Sequence, residues 1–540
     1  MKKRRLLSIV LSLCMVLMLM PQMVFAEGGV PYLDASGVQK TCGSATVVTS
    51  SDTEWTGIAE NPGWYVAQGN VTISSRVKVD GDVHLILADD CKLTVNGGIG
   101  VSQSSSNQNS LTIYGQEEGT GELNAYAASG TSNAGIGGDC DKSSDSITIN
   151  GGDVTAVGDR AGSGIGGGVD GGCDSITING GTVTAIGGGG TTSSGIGAFG
   201  GRDSTAVITI SGGTVMATGS SCGICASSIG TISTGDNGHA VIFASHTGSG
   251  GSAFHMKNDK SSWSGVIFEG NSGQIYGSSV TPSEDFTIPA DKTLTIESEN
   301  SLTIPAGKTL TNNGKIYVDG TFAGTANNLY YPLSLVNATA TGDTSEYNSK
   351  NYGKAESDIT LTPDTPPTGY RFDSWEVSDT AVTIGENNTF TMPNKALTVT
   401  AQWKEVIPPE IIEGKGQSIT EGEKKALTFR SNALFDDFDR VELDYETLDD
   451  KNYTVEEGST VVTLNADFVA ALPAGEHTIG IVSTNGTATT TFIIKEKPAA
   501  DNSSDTGDST SLPLLIGLML LSIAGITGMT GCRRRKRADE

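Results

Sequence analysis

The stretch that decides the fold reads ITINGGDVTA at residues 147–156 and GIGG at residues 164–167. It recurs as ITINGGTVTA at 176–185 with GIG at 195–197, and as ITISGGTVMA at 208–217 with GI at 223–224. The starts of these copies are 29 and 32 residues apart. A self-similar unit of this length is typical of a solenoid, in which each repeat packs only against its neighbours.

Each copy contains three short apolar stretches, two of which alternate with polar residues at a period of two. Such alternation predicts strands with one face inward and the other outward. Strands this short bury a core only when successive units stack, isoleucine over isoleucine and valine over valine. The Asn-Gly-Gly stretch supplies the positive φ needed at a tight corner. The repeat therefore predicts a right-handed parallel β-helix with three faces.

The composition agrees with an all-β protein. The chain has 540 residues, of which 72 are glycine, without the Gly-X-Y period of collagen. The net charge is −27, and the basic residues concentrate at the two ends, with four in residues 2–5 and five in residues 533–537. The acidic body between them excludes binding to nucleic acid or to an anionic membrane through charge.

Weaker copies extend the solenoid in both directions. Upstream, apolar alternation begins near residue 65, and downstream IPADKTLT at 288–295 recurs as IPAGKTLT at 304–311. We interpret residues 65–328 as about ten rungs, with 4.8 Å between rungs. Residues 27–64, which include Trp55 and Trp64, are expected to cap the first rung.

The N-terminus has the pattern of a secretory signal peptide. Lys2 to Arg5 precede an apolar run, and Val24-Phe25-Ala26 fits a small-residue cleavage site. We therefore predict a signal peptide over residues 1–26, cleaved between Ala26 and Glu27.

The C-terminus has the pattern of an anchor. A mostly apolar run over residues 512–532 is long enough to span a bilayer, and a basic tail follows at 533–540, which would remain cytoplasmic. Together with Thr506-Gly507, these features resemble the cell-wall sorting signals of Gram-positive surface proteins. The resemblance implies sortase cleavage between Thr506 and Gly507, although Ser503-Ser504 replace the family's Leu-Pro. A retained membrane anchor is the alternative.

Two further β modules are expected between the solenoid and the anchor. Residues 330–404 contain GYRFDSW at 369–375 and FTMP at 390–393, and they resemble the internalin B-repeat of the Listeria–Bacteroides type. The resemblance implies a small extracellular spacer or adhesion unit, in which Tyr370, Phe372, Trp375, Phe390 and Trp403 are expected to form the core.

Residues 408–495 predict short strands at about ten-residue spacing, as in a β-sandwich. They resemble an immunoglobulin-like, carbohydrate-binding X-two-type module, which implies binding to cellulose or cell wall without indicating particular residues. A polar Ser/Asp linker follows at 496–511.

Acidic residues in the loops after each Gly-Ile-Gly stretch are the candidates for chemistry. They are Asp139, Asp141, Asp145, Asp170, Asp174 and Asp203, near Arg160 and Arg202. They predict solvated corner acids, with calcium binding along an acidic edge as the alternative. We predict no catalytic residues, no cofactor and no resident metal, because the five histidines lack metal-ligand spacing and no catalytic elbow or phosphate loop is present.

Cysteines in the solenoid have an ambiguous pattern. Cys222 and Cys225 replace the flanks of a Gly-Ile-Gly stretch, and residues i and i+3 of a straight strand lie about 10 Å apart. A bridge between them is therefore not expected unless the strand bends, whereas a bridge from this rung to Cys173 is conceivable. Small buried thiols are the favoured interpretation.

These features together predict a cell-surface protein. The solenoid resembles the Gly-Ile-Gly-Gly repeat proteins of Gram-positive gut anaerobes. The expected function is a non-enzymatic adhesin or carbohydrate-binding protein, whose partner is a glycan or cell-wall polysaccharide. A β-helix polysaccharide lyase or glycosidase and a purely structural stalk are the alternatives.

Overall fold

The repeat folds as a three-sided coil, each side being a sheet of parallel strands. The computed structural model describes residues 23–24, 29–104, 108–198, 206–235, 237–456 and 459–498. Within this part the chain folds as two compact units, up to Glu405 and from Val406 onward. The expected all-β fold with a parallel β-helix is confirmed.

Sheets 1, 2 and 3 are the three sides of the coil. The parallel strands of sheet 1 are Ala45–Val47, Gly63–Ala67, Asp82–Leu87, Ser110–Tyr114, Ser146–Ile149, Ser175–Ile178, Val207–Ile210 and Thr231–Ser233, with Met23–Val24 antiparallel to the first. The first eight strands of sheet 2 are Asn70–Ile73, Lys92–Val95, Glu122–Tyr126, Asp153–Val157, Thr182–Ile186, Thr214–Gly219, Val241–His246 and Gly265–Glu269. Sheet 3 contains Glu54–Thr56, Val77–Asp80, Ile99–Gly100, Ile136–Gly137, Ile165–Gly166, Ser194–Gly197, Cys222–Cys225 and Ser252–His255.

The apolar side chains stack in register, as the repeat predicts. Ile147 lies beside Ile176, and Ile176 lies beside Ile208. Val154 and Val183 form the equivalent pair in sheet 2, and all five side chains are fully buried. Burial of one such side chain contributes about 1.5–3 kcal/mol, which makes the stacked columns the main stabilising element of the coil.

Parallel strands begin earlier than the apolar alternation indicates. Ala45–Val47 and Glu54–Thr56 already belong to sheets 1 and 3, within the segment for which a cap was expected. The fully buried Trp55 belongs to the solenoid core. The hairpin of Val30–Leu33 and Gln39–Cys42 packs Tyr32 against Trp64 on the outside of sheet 1.

The direction of the strands in sheet 2 reverses at residues 265–276. Gly265–Glu269 and Ser272–Tyr276 form an antiparallel hairpin, whose two-residue turn places Gly270 at φ +61°. The core also changes face at this hairpin. Ile267 points into the core of the first section, whereas Val266 and Phe268 point into that of the second. Since both the strand direction and the core-facing side are inverted, the sense of winding is the same in both sections.

The second section continues sheet 2 on the other side of the hairpin. Sheet 2 runs on through Ser272–Tyr276, Thr293–Ile296, Lys315–Val318, Leu329–Val336, Lys350–Lys354 and Thr344–Tyr347. The other two sides of this section are Ser279–Val280 with Ser301–Thr303 and Thr321–Ala323, and Phe286–Ile288 with Leu310–Asn312. Leu397–Glu405 pairs with Leu329–Val336 and with Tyr370–Val377, and Ala338–Gly342, Asp358–Pro363 and Thr389–Thr391 form a further sheet.

The 16-residue repeat does not correspond to one rung. Phe286 pairs with Leu310 and Thr293 with Lys315, so the rungs of this section advance by 24 and 22 residues. The two IPAxKTLT copies therefore do not occupy equivalent positions on successive rungs. What they share is a turn, in which Lys292 N–H donates to the Pro289 carbonyl and Lys308 N–H to the Pro305 carbonyl.

The second unit is a sandwich of two sheets, as its strand spacing predicts. One sheet contains Ile411–Glu413, Leu427–Leu434, Ser459–Leu464 and Tyr453–Glu456. The other contains Ser418–Thr420, Gly486–Lys495, Gly475–Ser483, Phe438–Leu443 and Glu446–Thr447. Phe429 and Phe492, one from each sheet, meet in a common core. The helical elements are Phe435–Asp437, Asp450–Asn452 (both 3-10) and the α-helix Ala466–Ala470.

The described residues contain no helix with the length and apolar character required to cross a membrane. The apolar run at 512–532 falls outside them, as do the linker from residue 499 onward and the basic tail.

Candidate functional site

A groove follows the Asn-Gly-Gly corner of the coil, where sheet 1 turns into sheet 2. Its volume is about 630 Å³. The floor is formed by Asn150, Asn179 and Ser211, which occupy equivalent positions on three successive rungs, by Gly115 on the rung before them, and by the glycines that follow the asparagines. We call this feature the corner groove.

The glycines of the corner are required by the backbone and by its neighbours. Gly152, Gly181 and Gly213 have φ angles of +88°, +80° and +78°. A Cβ atom on Gly181 would lie 2.4 Å from the carbonyl oxygen of Gly152 one rung earlier. Successive rungs therefore approach closely at this corner. Because glycine has no side chain, the space above these residues stays open as the groove.

A ladder of side-chain hydrogen bonds runs along the floor. Ser211 Oγ donates to Asn179 Oδ1 at 2.7 Å, and Asn179 Nδ2 donates to Asn150 Oδ1 at 2.8 Å. Within the described residues Asn150 Nδ2 has no protein partner, so the ladder ends on a free donor. An amide has two donors and an acceptor, so the floor retains hydrogen-bonding capacity for a ligand.

Loops flank the corner groove at both ends and give it an acidic character. Glu117 and Glu118 stand at one end, are exposed, and take part in no ion pair within the described part of the chain. At the other end Lys308 Nζ lies 3.0 Å from Glu284 Oε2, so the lysine's charge is offset locally. His239 lies at the same end.

A second cavity contains a close acid–base pair. Among the described residues of the solenoid, this is the only such pair that involves one of the predicted loop acids. Arg76 Nε donates to Asp139 Oδ1 at 2.7 Å. The other four guanidinium N–H groups donate to the carbonyls of Gly97, Ala134, Gly137 and Gly138. Burial lowers the pKa of Arg76, which the carboxylate of Asp139 opposes. All five donors of the side chain are thus used to join rungs, and none is left for a substrate.

The remaining loop acids do not converge. Asp145 is buried, accepts the Asn109 backbone N–H at 2.8 Å, and has its pKa raised by burial. Asp141, Asp170 and Arg160 occupy corners with positive φ, and Asp174 is exposed. Among the described residues no group of three or more His, Cys, Asp or Glu side chains is placed to hold a metal ion. Asp203 and Arg202 lie outside the described residues.

Two cysteines of the solenoid are bonded to each other, although small buried thiols were expected. Cys222 and Cys225 form a disulfide, with their Cα atoms 6.0 Å apart. The segment is therefore bent rather than straight, because a straight strand would separate these atoms by about 10 Å. Cys173 is a free buried thiol, as are Cys42 and Cys91, and Cys140 is exposed. The expectation of no local bridge is therefore wrong, and Cys173 does not bridge to this rung.

The aromatic residues of the module that follows the solenoid are only partly core. Phe390 is buried and Trp375 packs against the same core. Phe372 and Trp403 are half-buried partners in register, and Tyr370 is 44% exposed. The prediction that all five form the core is therefore wrong for Tyr370, because its strand extends past the end of the packed sheet.

The threonines on the outside of sheet 1 form a flat column. Thr148, Thr177 and Thr209 lie side by side on successive strands and are half-buried. The candidate processing residues Ala26, Glu27, Thr506 and Gly507 lie outside the described residues.

Sequence reasoning missed the corner groove as a site. The signal was present, since an asparagine recurs at the same position of two repeats, but it was interpreted as a turn residue alone. The clustering of His84 with Trp64 and Tyr114 was also missed. His84 Nδ1 lies 2.8 Å from Tyr114 Oη, and Tyr114 has its pKa raised to about 12 by burial.

Family models match two segments of the chain. A family model described as the beta helix repeat matches residues 147–169, 176–201 and 208–233. A model described as the divergent InlB B-repeat domain matches residues 331–407. The expected β-helix repeat and the expected B-repeat module are thereby confirmed, and the chain contains both kinds of domain.

Whole-chain comparisons add little. No curated protein matches the chain. Solved structures that match include a chimeric titin Z1Z2 carrying a decorin-derived peptide (11% identity, 32% of this chain, 96% of that chain, TM-score 0.15) and the titin I9-I11 tandem (11%, 33%, 68%, TM-score 0.17). Similarity this low carries no argument about the chain.

Proposed function

We propose that this protein is a non-enzymatic, surface-displayed glycan-binding protein, and that the corner groove is its binding site. The β-helix repeats and the InlB-like module support the coarser statement that it is a surface repeat protein. The observation that carries the finer proposal is the ladder of Asn150, Asn179 and Ser211 along the groove floor.

The chemistry of the floor suits sugar hydroxyls. A hydroxyl donates and accepts at once, and side-chain amides offer both functions from one rigid group. The half-buried Gly151 adds partly accessible backbone beside the amides, without a side chain that would hold a ligand away. A polar groove without a converging acid pair or a free guanidinium suits binding rather than cleavage.

Display outside the cell is part of the proposal. The signal pattern at residues 1–26 would direct secretion, and the segment at 512–540 would hold the C-terminus in the membrane or, after cleavage at Thr506, on peptidoglycan. The Cys222–Cys225 disulfide is in keeping with an oxidising compartment.

A glycan array probed with the full chain tests the binding. The double variant Asn150→Ala/Asn179→Ala should lose about 5- to 150-fold in affinity, because two neutral hydrogen bonds contribute about 1–3 kcal/mol together. Thr177→Ala, in the same rung but on the flat outer face of sheet 1, is the matched control. Thermal unfolding of each variant checks that the fold is retained.

Two outcomes would contradict the proposal. One is an array on which the full chain binds no glycan. The other is a double variant that binds as tightly as the control. Release of new reducing ends from a bound glycan would contradict the non-enzymatic part and favour the lyase or glycosidase alternative.

A further inference from the structure

We infer that the corner groove takes a linear, equatorially linked glycan without anionic groups, laid parallel to the coil axis with one sugar ring per rung over about four rungs. The inference rests on the proposed function and specifies the class of ligand. Three observations carry it: the rung repeat along the floor, the loops at both ends and the charge of the walls.

The repeat along the floor sets the direction and spacing of the ligand. Asn150, Asn179 and Ser211 present equivalent positions on three successive rungs, about 4.8 Å apart, and Gly115 continues the floor onto the rung before them. A β-1,4-linked chain of pyranose rings is a straight ribbon that advances by close to this distance per ring. Each ring would therefore lie over one rung, with successive rings presenting opposite edges to the floor. A helical α-linked chain or a branched chain would lose this register.

The flanking loops set the length. The loops of Glu117 and Glu118 stand at one end of the floor, and those of Glu284 and Lys308 stand at the other. The four floor positions between them span roughly 14–19 Å. This length accommodates about four rings, so a longer chain gains few additional contacts.

The wall charges select against anionic sugars. The two carboxylates of Glu117 and Glu118 have no basic partner in the described part of the chain, and the Lys308 ammonium is already paired with Glu284. The chain as a whole has a net charge of −27. A uronate or sulfated chain would therefore meet repulsion along the groove, whereas a neutral or amino sugar would not.

Isothermal titration calorimetry of the full chain tests the inference with oligosaccharides of defined length. The neutral probes are β-1,4-linked glucose, N-acetylglucosamine and mannose with two to six rings. The anionic probe is the β-1,4-linked mannuronate tetramer, which differs from the mannose tetramer only at C6. We expect a neutral series to bind with affinity that rises to about four rings and then levels off. We expect mannuronate to bind at least about tenfold more weakly than the best neutral tetramer.

A charge variant gives the matched control. Glu117→Gln/Glu118→Gln should strengthen binding of mannuronate several-fold relative to the neutral tetramers, since the repulsion is removed while the side chains keep their size. Mannuronate that binds as tightly as the neutral tetramers, or affinity that does not rise between two and four rings, would overturn the inference.

The two proposals fail in different ways. If the glycan array is positive only for branched, α-linked or anionic chains, the groove binds glycans and the present inference is wrong. If the array and every probe are negative, the proposed function itself is wrong.

Discussion

The second glycine of three Gly-Ile-Gly segments lies where a side chain would be both strained and crowded. Gly137, Gly166 and Gly197 have φ angles of +133°, +132° and +93°. A Cβ atom on Gly166 would approach the carbonyl oxygen of Gly197 to 2.1 Å. The glycine excess of the composition thus has two causes at these positions, the backbone conformation and the distance between rungs.

Gly166→Ala is therefore expected to destabilise the first unit by about 2–5 kcal/mol, because strained backbone and steric overlap contribute together. The urea denaturation midpoint of the full chain measures the effect. Gly189→Ala is the control, since a Cβ atom there would meet nothing within 4 Å. Equal midpoints for the two variants would contradict the steric argument.

His477 in the sandwich unit has a hydrogen-bond acceptor beside each ring nitrogen. Nδ1 lies 2.7 Å from Asp444 Oδ2 and Nε2 lies 3.0 Å from the Pro473 carbonyl oxygen. Both partners can accept, so the protonated ring can donate to both of them. Burial lowers the pKa of His477, but the hydrogen bonds to Pro473 and Asp444 outweigh it, and the net shift is upward from 6.5.

A pH dependence follows from that direction. A raised folded-state pKa stabilises the sandwich fully below pH 6.5, and the contribution is lost as the pH rises through the folded-state value. We expect the urea midpoint of this unit, followed by pulse proteolysis, to fall as the pH rises above 6.5. His477→Gln should flatten the curve, and an unchanged slope in this variant would exclude His477 as the cause.

At the scale of the element, the strands that sequence predicted best are those with stacked identical residues. Ile147, Ile176 and Ile208 define their own register, because a slip of one residue would expose every isoleucine. The IPAxKTLT copies misled for a physical reason. They encode a local turn after Pro289 and after Pro305, and a turn can recur at two corners of the same rung.

Other elements were beyond sequence reasoning because long-range packing decides them. Gly270-Asn271 is a recognisable hairpin turn, but the change of core face that accompanies it depends on which side chains find partners. The corner groove likewise needs the loops of Glu117 and Glu284, which are distant in sequence and come together only in the coil. Its asparagine ladder was visible, whereas its walls were not.

The bend that joins Cys222 to Cys225 gives a chemical prediction. Alkylation of the denatured, non-reduced protein should label Cys42, Cys91, Cys140 and Cys173 and leave Cys222 and Cys225 unmodified, because the latter two are bonded. Peptide mass spectrometry reads the result. Labelling of Cys225, or a peptide linked to Cys173, would show that the strand is straight at this rung.

At the scale of the whole molecule, the predicted processing sites decide where the protein resides. If sortase acts, mass spectrometry of a cell-wall digest should show the chain ending at Thr506 and joined to a peptidoglycan fragment. Thr506→Ala should shift the protein from the wall to the membrane fraction. A mature C-terminus at Glu540 would contradict cleavage and favour the retained membrane anchor over residues 512–532.

The shared strands of the hairpin at 265–276 have a consequence for how the first unit folds. A local antiparallel hairpin closes within about 1–10 μs, far sooner than distant rungs meet. Once formed, it offers Ile267 to one core and Val266 with Phe268 to the other. Each section then adds rungs outward from it, one toward the N-terminus and one toward the C-terminus. We expect hydrogen exchange during refolding to protect Gly265–Tyr276 first and the two ends of the unit last.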